Sequence, residues 1–303
     1  ERAIQMRGKK RLDHYYPYLL ILPTVLLIII FIMIPILDVF KLSAQDYSTN
    51  SLSGVGTFVG FENFRKILME DEVFRKAAGI SLKWVACTVA GQLVIGMGIA
   101  LLLNQKVWLR GLFRSVTFMP WAVSGVLATM LWTIMYNQNV GVINDLLIKA
   151  GILEKGVAWL SNPHTTFWAV VVTELWRGIP FFAIMILAGL QSIPEEIYES
   201  CNVDGCGGFR KFLYITLPYL KESLVFSTLL RCIWEFNSID LIFTMTNGGP
   251  LRLTTTLPVY LMQRAVVGGQ YGYGSAMAVM MGAGLLVFAF LYLKITRYGR
   301  EDV

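Results

Sequence analysis

Charge is scarce in this chain. Asp, Glu, Lys and Arg make up 15% of its 303 residues, where a soluble domain carries about a quarter. With 55% hydrophobic residues and a mean hydropathy of +0.59, the shortage points to a bilayer rather than to a solvated surface. Histidine is scarcer still: His14 and His164 stand alone, so no histidine cluster is available to ligate zinc. The four cysteines, Cys87, Cys201, Cys206 and Cys232, include one C-x-x-x-x-C pair with no neighbouring histidine, which does not predict a metal site. Catalytic motifs are missing too: there is no G-x-x-x-x-G-K-S/T loop to cradle phosphates, no H-E-x-x-H and no G-x-S-x-G. The expectation is a chain that is no enzyme, holds no metal and binds no cofactor, with any ATP and Mg used by a partner.

Long apolar runs are what the sequence has in excess. A helix crossing a bilayer needs about 20 mostly apolar residues, and six windows qualify, at about 17–40, 80–103, 116–136, 166–190, 220–245 and 274–295. The alternating ten-residue strands of a membrane barrel do not occur. The predicted fold class is therefore all-α, a polytopic membrane protein of six transmembrane helices. No internal repeat or low-complexity linker divides it, so 1–303 reads as one integral domain. Arg7, Lys9, Lys10 and Arg11 precede the first window as in a signal peptide, but its apolar core is too long and no small-x-small cleavage site follows.

Lysine and arginine near the spans set orientation. With the N-terminus inside, Arg2 to Arg11, Lys106, Arg110, Arg114, Arg210, Lys211, Lys221, Lys294, Arg297 and Arg300 all face the cytoplasm, as do both termini. The opposing bases, Lys41, Arg65, Lys66, Arg75, Lys76 and Lys83, share one outer segment with interspersed acids and read as a surface amphipathic helix. The net charge of +6 is thus a topology signal, and no nucleic-acid partner is expected. The long outer segments, one with a short helix around Val142 to Ala150 ended by Gly151, suit contact with an external protein.

Charges within spans cost roughly 2.5–3.5 kcal/mol each on insertion scales, so their positions are informative. The fourth window holds Glu174 and Arg177, three apart on one face, and Pro180, which frees a carbonyl in mid-span. The fifth holds Arg231, Glu235 and Ser238 on one face, with Trp234, Asn237 and Asp240 nearby. Two readings of Glu174–Arg177 and Arg231–Glu235 stand side by side: neutralised pairs that pin helices, or the lining of a water-filled path. Trp234, Asn237 and Asp240 favour the path, because an amide and a carboxylate beside an aromatic face suit sugar hydroxyls and rings.

Between the fourth and fifth windows, at about 191–219, polarity interrupts the chain. Pro194 marks a helix start, with Glu195 and Glu196 placed to complement its dipole. The run "DGCGG" breaks the helix, and "FRKFLYITLP" resumes one that Pro218 kinks. Ser200, Cys201 and Cys206 are small and keep one face shallow enough for a groove on another protein.

This loop resembles the cytoplasmic signature of the membrane subunits of binding-protein-dependent ABC importers, and within them the sugar permeases of the maltose and glycerol-phosphate type. That signature is close to E-A-A-x-x-D-G-A followed by I-x-L-P. Here it reads Glu199, Ser200, Cys201, Asp204, Gly205 and Cys206, then Ile215, Thr216, Leu217 and Pro218, with serine and cysteines in place of alanine. "GLFRSVTFMPWAVSGV", "LAGLQSIPEEIYE", "TNGGP" and "YGYGSAMAVMM" extend the likeness over nearly everything after Gly60. The resemblance implies a coupling helix docked on a cytoplasmic ATPase subunit, with Glu199 pairing to a base there and Gly205 as the bend. It implies a prokaryotic cell membrane, a second permease subunit, two ATP-binding cassette subunits and an extracytoplasmic solute-binding protein as partners, besides membrane lipid. The competing class is a secondary transporter driven by an ion gradient, with Glu174, Glu235 or Asp240 as proton sites; its usual inverted repeats are not seen.

Overall fold

The computed structural model describes residues 17–49, 56–105 and 108–298. Arg2 to Arg11, Lys106 and Arg300, three parts of the orientation signal, lie outside the described residues. The chain divides into two compact units.

The first unit comprises the described residues up to Glu70 together with Gln263–Gly282. Its leading helix, Pro17–Ser43, has a mean hydropathy of 3.1 over its most apolar stretch, none of which is buried. Within it Ile34 bonds back to the Ile29 carbonyl, five residues away instead of four, just before Pro35. Proline lacks an N–H and its ring crowds the carbonyl four residues back, so a widened π turn relieves the contact. Beyond the helix, Gln45–Asp46 pairs antiparallel with Thr57–Phe58, Gln45 opposite Phe58. Asn63, on the short Glu62–Met69 helix, donates to the Ser43 and Gln45 carbonyls at 3.0 and 2.9 Å. Gly272 N–H in turn reaches the Tyr47 carbonyl at 2.9 Å, so backbone bonds hold this segment together.

The second unit comprises Asp71–Met262 and the chain from Ala283 onward. A 33-residue helix, Glu72–Asn104, starts where Asp71 accepts the Phe74 N–H at 2.9 Å. It packs most extensively along Thr166–Gln191, and Leu217–Phe236 packs against both. Two apolar cores lie along this three-helix contact. One gathers Trp84, Phe167, Val170, Leu241 and Ile242, the other Val89, Phe182, Ile186, Leu190 and Leu220. Along Thr166–Gln191, Glu174 falls between the residues of the two cores, and Gln92, Arg231 and Glu235 are buried on the two helices packed against it.

Two of the expected spans are broken. Around 116–136, Arg110–Ala122 and Gly125–Met135 meet at 97°, with Pro120 near the end of the first and Val123 extended between them. Around 220–245, the helix ending at Phe236 gives way to a separate Asp240–Thr246 helix. There the Asn237 side chain donates at 2.8 Å to the Ile233 carbonyl, which also accepts the Asn237 N–H at 3.3 Å, so both close the helix end. Among the described residues four helices are long and apolar enough to cross a membrane, or five if the bent pair counts as one span. The last is Tyr271–Thr296.

Candidate functional site

The charged residues of the fourth and fifth spans meet in one buried layer. Arg231 Nη2 lies 2.8 Å from Glu174 Oε1 and 2.7 Å from Glu235 Oε1, while its Nε donates to Gln92 Oε1 at 2.7 Å. The Gln92 amide donates onward to the Glu174 carbonyl at 3.1 Å and to Glu235 Oε1 at 3.0 Å. Arg177 closes the set, its Nη2 lying 2.7 Å from Glu174 Oε2. Glu174 and Gln92 are fully buried and Glu235 is 2% exposed, whereas the Arg177 side chain keeps about a quarter of its surface, 26%. Two carboxylates face two guanidinium groups, so the layer is neutral in formal charge, which is the condition for keeping ions out of water. Glu235 Oε2 alone has no hydrogen-bond partner.

Glycine makes the layer fit. A Cβ on Gly178 would come within 2.2 Å of both Arg231 Nη2 and Gln92 Nε2. The two intrahelical pairs expected from i, i+3 and i, i+4 spacing both form. The bond from Arg231 to Glu174 and the bridging role of Gln92 join three helices and were not expected. The signal for Gln92 was its isolation as an amide in the middle of an apolar span.

Trp234, Asn237 and Asp240 lie outside this layer and are exposed. Trp234 packs at a tilt against buried Phe181 with centroids 5.2 Å apart, and Phe181 meets Trp121 at 6.2 Å. Trp121 and Trp234 are each about half exposed, at 49% and 50%. The bend before Gly125 thus brings an aromatic side chain that was not anticipated beside one that was. The two tryptophans, tilted at 40° and 59° to the Phe181 ring between them, offer accessible aromatic surface, and the Arg231 guanidinium lies 5.9 Å from the Phe181 ring.

The loop after the fourth span forms a helix, Glu195–Val203, with Pro194 at its N-cap. Glu195, Glu196, Glu199, Ser200 and Val203 are exposed along it, while Cys201 turns inward and is buried. The shallow face expected from small residues is therefore split: Ser200 is outward, Cys201 inward and Cys206 half-buried. Gly205 takes φ +73°, a left-handed angle that side chains resist, and a Cβ there would meet nothing within 4 Å. Asp204 N–H and Cys206 N–H bond back to the Ser200 and Cys201 carbonyls, closing the helix end. Lys211 donates to Asn202, and the Tyr198 hydroxyl lies 3.0 Å from that of Thr216, tying the helix to the segment after it. From Gly208 the chain is helical, passes a π turn at Phe212–Thr216 and enters Leu217–Phe236 with Pro218 in its first turn. Hydrogen bonding to Cys206, with burial adding to it, holds the Cys201 thiol above the usual thiol range.

Residues 92–298 match the family described as binding-protein-dependent transport system inner membrane component. The chain is 33% identical over 284 residues to the trehalose/maltose transport system permease protein MalF of Thermococcus litoralis, covering 94% of each. It is 35% identical over 286 residues to the sulfoquinovosyl glycerol transport system permease protein SmoG of Agrobacterium fabrum, covering 94% of this chain and 91% of that one. With the diacetylchitobiose uptake system permease protein DasB of Streptomyces coelicolor it shares 33% identity over 302 residues, covering 98% and 91%. Among solved structures, a bacterial ABC transporter involved in the import of the acidic polysaccharide alginate has a TM-score of 0.79 at 21% identity, covering 96% of this chain and 98% of that one. This last likeness is one of fold.

Proposed function

The chain belongs to the family of inner membrane components of binding-protein-dependent transport systems, and we propose that it is one permease subunit of an ATP-driven importer of a carbohydrate or oligosaccharide. The observation that carries the reading is the exposed Glu195–Val203 helix, followed by the left-handed turn at Gly205 and leading into the span that holds Arg231 and Glu235. A short helix set between spans and turned outward is shaped for a groove on another chain. On this reading Glu199, Ser200 and Asp204 meet a cytoplasmic ATPase subunit that uses ATP and Mg, Cys201 and Cys206 support the helix from behind, and Gly205 and Pro218 set its angle to the span. The side of the membrane follows the lysine and arginine pattern, which puts this loop and both termini in the cytoplasm.

Sugar as cargo is supported by the names of the relatives and by the half-exposed Trp121 and Trp234 held either side of Phe181, because sugar rings stack on aromatic faces. Asn237 and Asp240 add exposed polar groups shortly after Trp234, and Arg177 reaches the rim of the buried layer. The exposed tryptophans call for a cover, which we assign to a second, different permease subunit, with an extracytoplasmic solute-binding protein delivering the cargo. Glu174, Arg231 and Glu235, by contrast, are read as a helix-pinning layer because every one is paired and buried.

The test is reconstitution in proteoliposomes with its partner ATPase, second permease and binding protein. ATP hydrolysis that rises with the loaded binding protein and falls with Gly205→Pro supports the reading. Uptake by this chain without an ATPase, collapsing with an ion gradient, overturns it in favour of a secondary transporter.

A further inference from the structure

The cluster of Arg110, Arg114 and Gln191 has no part in the proposed function. Arg110 opens the Arg110–Ala122 helix, Arg114 follows one turn later, and Gln191 ends the Thr166–Gln191 span. Only the oxygen of an amide can face donors, which orients the Gln191 side chain. That oxygen accepts from Arg114 Nη2 at 2.9 Å and from Arg110 Nη2 at 3.0 Å. Neither Nε has a hydrogen-bond partner, although both atoms are buried. Among the described residues no carboxylate is paired with either arginine. Two cations thus share one neutral oxygen, and their repulsion grows as water is excluded. An anion between the two guanidinium groups would offset that repulsion.

We propose that the phosphate of an anionic phospholipid binds between Arg110 and Arg114. The neighbourhood favours lipid over other anions. Trp108, Leu112, Phe113 and Val116 are exposed on the same stretch, so an acyl chain finds apolar surface beside the charged end. Tryptophan belongs at the headgroup level of a membrane, and basic pockets between helix ends are where anionic headgroups are held. Both arginines are only half-buried, and a guanidinium with one N–H on Gln191 retains others with which to fork a phosphate. The phosphate would supply the pairing that, among the described residues, no carboxylate gives these two arginines.

Native mass spectrometry of the purified full chain in detergent, with phosphatidylglycerol or phosphatidylcholine added, tests the assignment. Phosphatidylglycerol should be retained and phosphatidylcholine not, and R110Q/R114Q should lower phosphatidylglycerol occupancy about tenfold, the loss of one or two charge-assisted bonds. R110K/R114K, which keeps the charge without the fork, should fall between. Size-exclusion profiles report folding, and if R110Q/R114Q aggregates, R114Q and the lysine pair carry the comparison. Equal retention by wild type and the glutamine variants overturns the proposal. So does displacement of the lipid by millimolar inorganic phosphate, which makes the site one for free anions. Loss of ATPase-subunit copurification with lipid retention unchanged overturns it as well, assigning the arginines to a protein interface.

Discussion

Gly178→Ala tests whether the buried layer is a tie between helices. The new methyl would stand 2.2 Å from Arg231 Nη2 and from Gln92 Nε2, and 2.4 Å from Gln92 Cδ. Long side chains can swing their ends away, but these ends are the bonded ones. Arg231 Nη2 is the atom that holds Glu174 and Glu235, and Gln92 Nε2 holds the Glu174 carbonyl and Glu235. Displacing them leaves two carboxylates short of partners in a site closed to water, where breaking a buried pair costs about 3–5 kcal/mol. Alanine in place of glycine returns at most about 1 kcal/mol of helix propensity, so the net loss is about 2–4 kcal/mol. Tryptophan fluorescence during thermal and denaturant unfolding of the purified protein measures it. Gly98→Ala is the control, since its Cβ meets nothing within 4 Å, and it should be neutral or stabilising by up to about 1 kcal/mol. Should Gly178→Ala match that control, the layer bears no load and the reasoning fails. Combining it with Gln92→Ala should cost less than the two changes summed, because both act on one set of bonds.

Three other outcomes are expected. Gly205→Ala meets no neighbour but must hold a left-handed angle at a cost of about 1–2 kcal/mol; the complex should assemble while stimulated ATP hydrolysis falls severalfold, and full stimulation here and in Gly205→Pro removes the hinge role. Trp234→Ala and Asp240→Ala should weaken stimulation by cargo-loaded binding protein without disturbing assembly, and wild-type kinetics in both would take them out of the path. Because the Cys201 thiol is held above the usual range, less thiolate is present at any given pH, so maleimide labelling read by peptide mass spectrometry should lag that of an unperturbed thiol, of pKa about 8.5, and catch up only as pH rises further; rapid labelling of Cys201 at pH 8 contradicts this.

The range of each interaction decided whether the sequence made it legible. Local punctuation came through: Pro194 starts a helix, Gly205 turns left-handed, and Gly151 at φ +71° ends the short outer helix Val142–Lys149. Pairs at i, i+3 and i, i+4 came through too, because helix geometry alone sets them. The family resemblance, resting on motifs in order, is borne out by the match over 92–298. Long-range bonds did not come through. Arg231 to Glu174 spans 57 positions and Arg231 to Gln92 spans 139, and no periodicity encodes which faces of which helices meet. Breaks inside apolar runs were missed for a different reason. Around Asn237 the polar residues were read only as chemistry, yet the Asn237 amide also caps the carbonyl of Ile233. Between Ala122 and Gly125 every residue but Ser124 and Gly125 is apolar, so hydropathy carries the window across a 97° bend.

The proposed hinge at Gly205 leads, through the helical segment from Gly208, into the helix that carries Arg231 and Glu235, so a push at the loop has a route towards the buried layer. From Leu217 to Glu235 the chain is a continuous helix of about 27 Å, stiff enough to transmit displacement rather than absorb it. Glu235 and Arg231 are buried near its far end, and Trp234, one turn on from Arg231, is exposed beside them. The partners of Arg231 on the other two helices are a carboxylate and an amide, both fully buried. Sliding the helix a fraction of a turn would strain several short bonds together, so the layer resists small excursions and favours discrete arrangements over gradual ones. Such bistability is what a physical account of coupling requires, more than a chain of contacts. Trp234 would then change its exposure only when the layer rearranges, which ties presentation of its ring to the state of the loop. On the proposed reading the ions of the fourth and fifth spans would serve transport by holding it in step, while Trp121, Trp234 and the exposed polar groups beside them would meet the cargo.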